Sequence, residues 1–202
     1  NVCVNNFVKA ALKFDTKIFN ATYFNASNKF KAIEFYKKIM LPTFKKIGLF
    51  WLTNKMNPAQ EHFLSEMFKQ KIYSQINIES EKEGNNKKNW VLFLPPNEHH
   101  EMGLLFTRYL LLSRGYNVIY LGANVPLLAL SEIEKCKHVD FTLFFVVSNF
   151  AKLNFKKTIQ AFDKYFNKSK NYIVSNQTLN KDFIKENNVN LLQSVDDFLD
   201  LL

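Results

Sequence analysis

The residues best suited to chemistry stand in one run, Asn97-Glu98-His99-His100-Glu101-Met102-Gly103, directly after the apolar segment WVLFLPP. A carboxylate two residues before a histidine can accept the proton of one ring nitrogen, which fixes the tautomer and makes the other nitrogen a better donor to a metal. Glu98 and His100 have that spacing. Gly103, about one turn further on, lets a bulky group approach the following helix without meeting a side chain. A polar loop with two ordinary histidines is the alternative that these residues leave open. A second set lies upstream, where Trp51 is followed after nine residues by Glu61-His62. An indole near a helix end offers a flat apolar lid, and a carboxylate one helix later can accept bonds from hydroxyl or amine groups. Core packing for Trp51 and a solvated surface for Glu61 are the alternative there. GxGxxG and GxxxxGK[ST] are both absent, so a nicotinamide, flavin or nucleoside-triphosphate site has no support. Cys136 and His138 are too few for structural zinc.

These residues need elements to hold them. Up to about residue 77 the apolar residues recur at helical spacing, with helices expected near Val4 to Asp15, Thr16 to Ala26, Lys29 to Trp51 and Pro58 to Asn77. Pro42 removes a backbone donor from the third and predicts a kink or restart. Asn57, Pro58 and Gln60 supply the fourth with a cap, a first-turn proline and a capping-box partner. Residues 1–77 therefore read as a four-helix bundle. Residues 78–89, IESEKEGNNKKN, are polar, contain Gly84 and read as a linker.

Over 90–202 short apolar runs alternate with amphipathic helices. Trp90 to Leu94, Asn117 to Leu121, Asp140 to Val147 and Asn171 to Val174 read as strands, with Val189 to Leu192 as a weaker fifth. Helices are expected near His99 to Ser113, Pro126 to Lys137, Asn154 to Phe166 and Lys181 to Glu186, and from Ser194 onward. Strands apolar throughout, such as FTLFFVV, are typical of a parallel sheet buried on both faces. The expected fold is α plus α/β: an N-terminal four-helix bundle, then a doubly wound, flavodoxin-like five-stranded parallel sheet. Ligands of such a sheet bind outside the carboxyl ends of its strands, where the His100 run falls.

With 202 residues, 47% of them hydrophobic, the chain can bury a sizeable core and is not intrinsically disordered. Two cysteines, Cys3 and Cys136, are too few for a disulfide scaffold and favour a reducing, cytoplasmic setting. No apolar run reaches the ~18 residues that span a bilayer, and no signal-peptide layout opens the chain, so no membrane partner is expected. The chain starts at Asn1 in a helical pattern, which leads us to expect an upstream segment. The net charge of +9, from 27 basic and 18 acidic residues, first suggests a nucleic-acid partner. Only Arg108 and Arg114 are arginines, the usual bidentate readers of guanine and phosphate, and the lysines are scattered along the chain. A solvated lysine-rich surface is the plainer reading, and no recognition-helix pattern is visible.

Glu98-x-His100-x-x-Gly103 resembles the Asp-x-His-x-x-Gly motif of cobalamin-binding domains, with Glu keeping the carboxylate and lengthening its reach. In that family the histidine replaces the cofactor's own nucleotide base as lower ligand of cobalt. The family's later Ser-x-Leu element matches Ser148-Asn149-Phe150, with Phe for Leu, and its Gly-Gly pair falls on Ser175-Asn176. Trp51 with Glu61-His62 resembles the signature of light-responsive MerR-type (CarH/LitR-like) transcriptional regulators. PTFKKIGLFW, EHFLSEMF, PPNEHHEMGLL and GYNVIYLGANVP follow that family's order across nearly the whole chain.

The resemblance implies a cobalamin-binding sensor module with adenosylcobalamin or methylcobalamin as cofactor and no catalytic residue. His100 would ligate cobalt from below, and the bundle would cap the upper face, with Trp51 and Glu61 around the upper ligand. His62, Glu98, Gly103, Gly122, Ser148 and Ser175 would also serve the cofactor. DNA contact is implied only through a helix-turn-helix preceding Asn1, and a homo-oligomer is expected. Leu52 stands where the family's type example has a histidine able to bind the vacated upper face, so a bis-histidine photoproduct is not implied. A helical bundle joined to this α/β domain also resembles corrinoid proteins that carry methyl groups for a methyltransferase, which is the second reading.

Overall fold

Two units make up the chain, residues 1–71 and 72–202. A computed structural model describes residues 2–202 apart from the side chains of 149–154, so Asn149 and Phe150 of the Ser-x-Leu element lie outside the described residues.

In the first unit, α1 (Val2–Lys13) and α2 (Thr16–Ser27) are separated by a tight turn in which Asp15 caps α2, its carboxylate accepting the Ile18 N–H at 2.9 Å. The expected third helix is three consecutive pieces: α3 (Ala32–Phe35), a π-helical turn (Tyr36–Met40) and α4 (Leu41–Leu52). The Leu41 N–H bonds to the Tyr36 carbonyl five residues back. This wide turn absorbs the expected break just ahead of Pro42, which then sits in the first turn of α4, where its missing donor is not needed. α5 (Pro58–Ser80) starts on a reciprocal capping box: the Gln60 N–H donates to Asn57 Oδ1 at 3.0 Å and the Asn57 N–H to Gln60 Oε1 at 2.9 Å. It runs past Asn77 because IESEK is polar without being helix-breaking. Phe7, Phe19, Phe35 and Phe68, one each from α1, α2, α3 and α5, meet in the core with ring centroids 4.8–6.4 Å apart. Phenylalanine richness is thus spent on packing.

The second unit is a five-stranded, all-parallel sheet in the order β2-β1-β3-β4-β5: β1 (Asn89–Phe93), β2 (Asn117–Gly122), β3 (Phe141–Phe145), β4 (Lys170–Val174) and β5 (Val189–Leu192). Crossovers run through α6 (Met102–Ser113), a 3₁₀ turn (Leu127–Glu132) with α7 (Ile133–Cys136), α8 (Asn149–Tyr165) and α9 (Lys181–Glu186), and the chain closes on α10 (Val195–Leu199). The single helix expected near Pro126 to Lys137 is split. Its first half is wound tightly, with the Ser131 hydroxyl donating to the Leu128 carbonyl three residues back. β1 is buried along its whole length, as its apolar run requires. Trp90 lies fully inside, stacked on Phe141 at 4.5 Å and Tyr172 at 5.8 Å. Because β1 has β2 on one side and β3 on the other, the loops after β1 and β3 diverge and open a crevice at the carboxyl edge. Among the described residues no helix is long and apolar enough to cross a membrane.

Candidate cofactor site

The loop from Leu94 to Glu101 lies at that crevice and is zipped to the loop after β2. The Leu94 N–H donates to the Gly122 carbonyl at 2.8 Å, Val125 N–H to the Leu94 carbonyl at 2.9 Å, and Asn97 N–H to Asn124 Oδ1 at 2.9 Å. Asn97 and Asn124 take left-handed backbone angles, φ 65° and 56°, which asparagine tolerates better than most residues. Gly122 also has positive φ, 78°, at a point where the register between β1 and β2 shifts.

Glu98 is the centre of the arrangement. It is 0% exposed, and its two oxygens accept five hydrogen bonds. Oε1 takes the His99 and His100 N–H groups at 3.0 and 3.1 Å and the His100 ring Nδ1 at 2.6 Å. Oε2 takes the Val147 and Ser148 N–H groups just beyond β3, at 2.9 and 2.7 Å. Burial pushes its pKa up, but the bonds from the His100 ring and from the Ser148, His100 and Val147 N–H groups outweigh burial and hold it at about 2. A permanently ionised carboxylate on Nδ1 selects the tautomer with the proton on that atom, which puts the ring's lone pair on Nε2. The His100 side chain is 62% exposed, so the expected carboxylate–imidazole pair is formed at the surface of the carboxyl edge.

Glu101 anchors the loop from its other end. Its Oε1 accepts the Tyr120 hydroxyl at 2.8 Å, and a Cβ on Gly122 would come within 3.3 Å of the same oxygen. Burial first, then this bond, keeps the Tyr120 hydroxyl protonated. The Arg108 guanidinium lies 4.9 Å from the Tyr120 ring centroid. Gly103 does leave room beside α6, and the Phe145 ring takes it: a Cβ there would lie 2.6 Å from the ring. Ser175 is buried, donating to the Val146 carbonyl at 2.7 Å and accepting the Gln177 N–H at 3.1 Å, so it steadies the strand end that feeds Val147 and Ser148 to Glu98. Asn176 is exposed.

In the helical unit Trp51 is 52% exposed in the last turn of α4 and borders a cavity of about 500 Å³ with Asn54, Met56, Asn57, Pro58 and Gln60. Glu61 and His62 follow in the first turn of α5 outside that lining; Glu61 accepts the Ser65 hydroxyl at 3.0 Å and His62 is exposed. Leu52 is 82% exposed. Sequence reasoning missed Tyr120, Asn97, Asn124 and the Val147 N–H. The two asparagines carry a weak signal in PPN and GAN, whereas a backbone N–H carries none.

A doubly wound parallel sheet with a carboxylate-oriented imidazole at its carboxyl edge, following a helical bundle, defines a cofactor-binding protein. The donor set narrows the cofactor. Among the described residues no three His, Cys, Asp or Glu side chains converge on a metal-sized site. One oriented imidazole suits a metal whose remaining positions are filled by a macrocycle. Leu121 near the end of β2, Leu128 in the 3₁₀ turn and Val147 just after β3 are exposed apolar side chains. Residues 4–74 match the family model described as a B12 binding domain, and cobalamin is the cofactor class that this match supports.

The chain is 27% identical over 124 residues to the HTH-type transcriptional repressor CarH of Myxococcus xanthus, a match spanning 61% of this chain and 40% of that protein. It thus spans well under half the length of that curated relative. Its fold is similar to the monomethylamine corrinoid protein of Methanosarcina barkeri, with a TM-score of 0.77, 12% identity and coverage of 100% of this chain and 97% of the other. A cobalamin-binding protein from Desulfitobacterium hafniense DCB-2 aligns over 98% and 96% of the two chains with a TM-score of 0.50 and 17% identity.

Proposed function

We propose that this chain is the cobalamin-binding sensor module of a MerR-type transcriptional regulator, a binding module and not an enzyme. The observation that carries the cofactor half is the His100 Nδ1 to Glu98 contact at 2.6 Å, with the carboxylate held by four further bonds. His100 would hold cobalt through Nε2 with Glu98 as its orienting partner, and Ser148 and Ser175 steady the strand end behind them. Gly103 and Gly122 give the loop its close approach to Phe145 and Glu101. Trp51 and Glu61, with His62 beside them, would serve the cofactor. When bound, cobalamin supplies a cobalt–carbon bond that light or group transfer breaks. Leu52 has no donor atom, so it would offer a metal no ligand.

The regulatory half is supported by the likeness to the repressor CarH and by the Trp51, Glu61-His62 spacing. On this reading DNA is bound specifically through a helix-turn-helix preceding Asn1, and the module assembles as a homo-oligomer in the cytoplasm. A corrinoid methyl carrier is the second reading, favoured by the whole-chain fold likeness to the monomethylamine corrinoid protein.

Purification with adenosylcobalamin in the dark, followed by gel filtration before and after illumination, tests the proposal. Wild type should retain the corrinoid absorption, and His100→Ala should weaken retention about ten- to a hundredfold. A colourless wild type overturns the reading; equal retention by His100→Ala overturns only the lower-ligand assignment. A change of oligomeric state on illumination makes light the signal. A state that follows cofactor concentration alone makes abundance the signal. A helix-turn-helix encoded upstream of Asn1 separates regulator from methyl carrier.

A further inference from the structure

Residues 1–71 carry twelve lysines against four carboxylates, a net charge of +8, while residues 72–202 hold fifteen basic and fourteen acidic side chains, a net charge of +1. The four carboxylates are all engaged. Asp15 accepts the Ile18 N–H, Glu61 accepts the Ser65 hydroxyl, and Glu34 and Glu66 pair with Lys38 and Lys69 at 2.6 and 3.0 Å. The helical unit therefore meets a partner as a cation.

Between α1 and α2 lies an open groove of about 800 Å³. The tight turn at Phe14-Asp15 folds α2 back along α1, so the groove runs between two antiparallel ridges. Val2, Asn6 and Lys9 stand at i, i+4 and i+7 on α1, and Ile18, Ala21 and Asn25 at i, i+3 and i+7 on α2, about two turns or 10 Å of each helix. Its walls are largely apolar: Val2 is 76% exposed, Ala21 is exposed and Ile18 is half-buried, while the Thr22 hydroxyl is spent on the Ile18 carbonyl at 2.7 Å. Charge stands only at the ends, Lys9 at the Ile18 end and Lys29 at the Val2 end. Among the described residues neither lysine has a carboxylate partner.

A furrow between two helical ridges is filled by a third ridge, that of another helix. Strand addition needs a sheet edge, and a polyproline segment needs an aromatic-lined groove. Among the described residues the lining includes no aromatic. A small molecule is held in a cleft that encloses most of it, whereas this groove is open. A second copy would bring the same lysines face to face, which like-charge repulsion opposes.

We infer that the α1/α2 groove is a docking site for an amphipathic helix of a protein partner, with an apolar row against Val2, Ile18 and Ala21 and a carboxylate at each end of that row for Lys9 and Lys29. None of the lining residues is assigned to the cofactor, so the contact stands apart from the sensor reading. The test pans a displayed library of random peptides of about 16 residues, about four helical turns, on the purified chain and measures the recovered peptides by fluorescence anisotropy at about 0.15 M salt. They should carry apolar residues at i, i+3 or i+4, and i+7, flanked by Asp or Glu. Ala21→Glu, which sets a carboxylate in the groove, should weaken their binding at least about tenfold. Lys9→Glu with Lys29→Glu should do the same, and peptides with lysine in place of the flanking carboxylates should then regain most of the affinity. Lys37→Glu with Lys45→Glu, the same charge change outside the groove, should alter affinity less than about twofold. All the substituted residues are exposed, so the variants keep the fold. Recovery of no peptide or of basic ones, equal weakening by the control pair, or peptides that bind Ala21→Glu as well as wild type overturns the inference. So does binding to phosphatidylserine vesicles, or self-association of the wild type, that Ala21→Glu abolishes, since either gives the groove another occupant.

Discussion

In the α/β unit the ligand loop is tied down on both sides of His100, by Glu98 to the end of β3 and by Glu101 to Tyr120 of β2. In the helical unit the corresponding candidates stand open: Trp51 is half exposed, His62 is exposed, and Glu61 has a hydrogen bond to Ser65 within its own helix. A metal ligand must be presented with one tautomer and one ring orientation, and a buried, fully bonded carboxylate provides both. On the proposed reading Trp51 is an apolar lid, a role that would need only area and shape and little polar support. The two regions therefore differ in how steeply they respond to substitution.

The largest effect should come at Glu98. Its pKa, held at about 2 against the ordinary 4.5, means that the fold favours the ionised form. The stability it contributes is fully present above about pH 4.5 and is lost as pH falls toward 2, on the order of 3 kcal/mol. Glu98→Gln should remove most of that at pH 7 and flatten the acid limb, read as urea midpoints from neutral pH down to about 3. A Gln variant with wild-type acid sensitivity would show that another group carries it. Next is Gly103→Ala, whose new methyl meets the Phe145 ring and should cost about 1–3 kcal/mol. Phe145→Leu in the same chain should restore part of the loss, which a double-mutant cycle measures. Tyr120→Phe should cost about 1 kcal/mol by thermal unfolding, one hydrogen bond to a charged group that also loosens the loop. Trp51→Ala should change stability by no more than about 0.5 kcal/mol while shortening the dark lifetime of the bound cofactor's upper ligand, followed by absorption. A stability loss as large as that of Gly103→Ala would show that the indole is structural after all.

Much of the frame was legible from local pattern. The Asn57, Pro58, Gln60 combination forms the reciprocal box its residue types predict, and the apolar runs pair as the buried parallel sheet that FTLFFVV suggests. Both signals are local, involving residues within one turn or one strand. The π turn over Tyr36–Met40 was not legible: Pro42 announces a break without saying on which side of it the helix will widen. Gly103 was read as space for a ligand, yet its immediate neighbour is Phe145, which lies 42 positions along the chain. The lysines are scattered along the chain, yet residues 1–71 hold only four of the eighteen carboxylates, a division that the two structural units make visible.

By itself the sequence determined that a carboxylate would meet an imidazole after the first strand, because two residues of spacing let Glu98 and His100 pair within a single turn of loop. Only the tertiary structure decided that the carboxylate would be ionised and immobile. The two N–H groups on its second oxygen come from Val147 and Ser148, about fifty residues away, and reach it only because β1 and β3 are neighbours in the sheet. Spacing along a chain can place two side chains together, but the field around them is set by backbone groups that the fold alone brings into range.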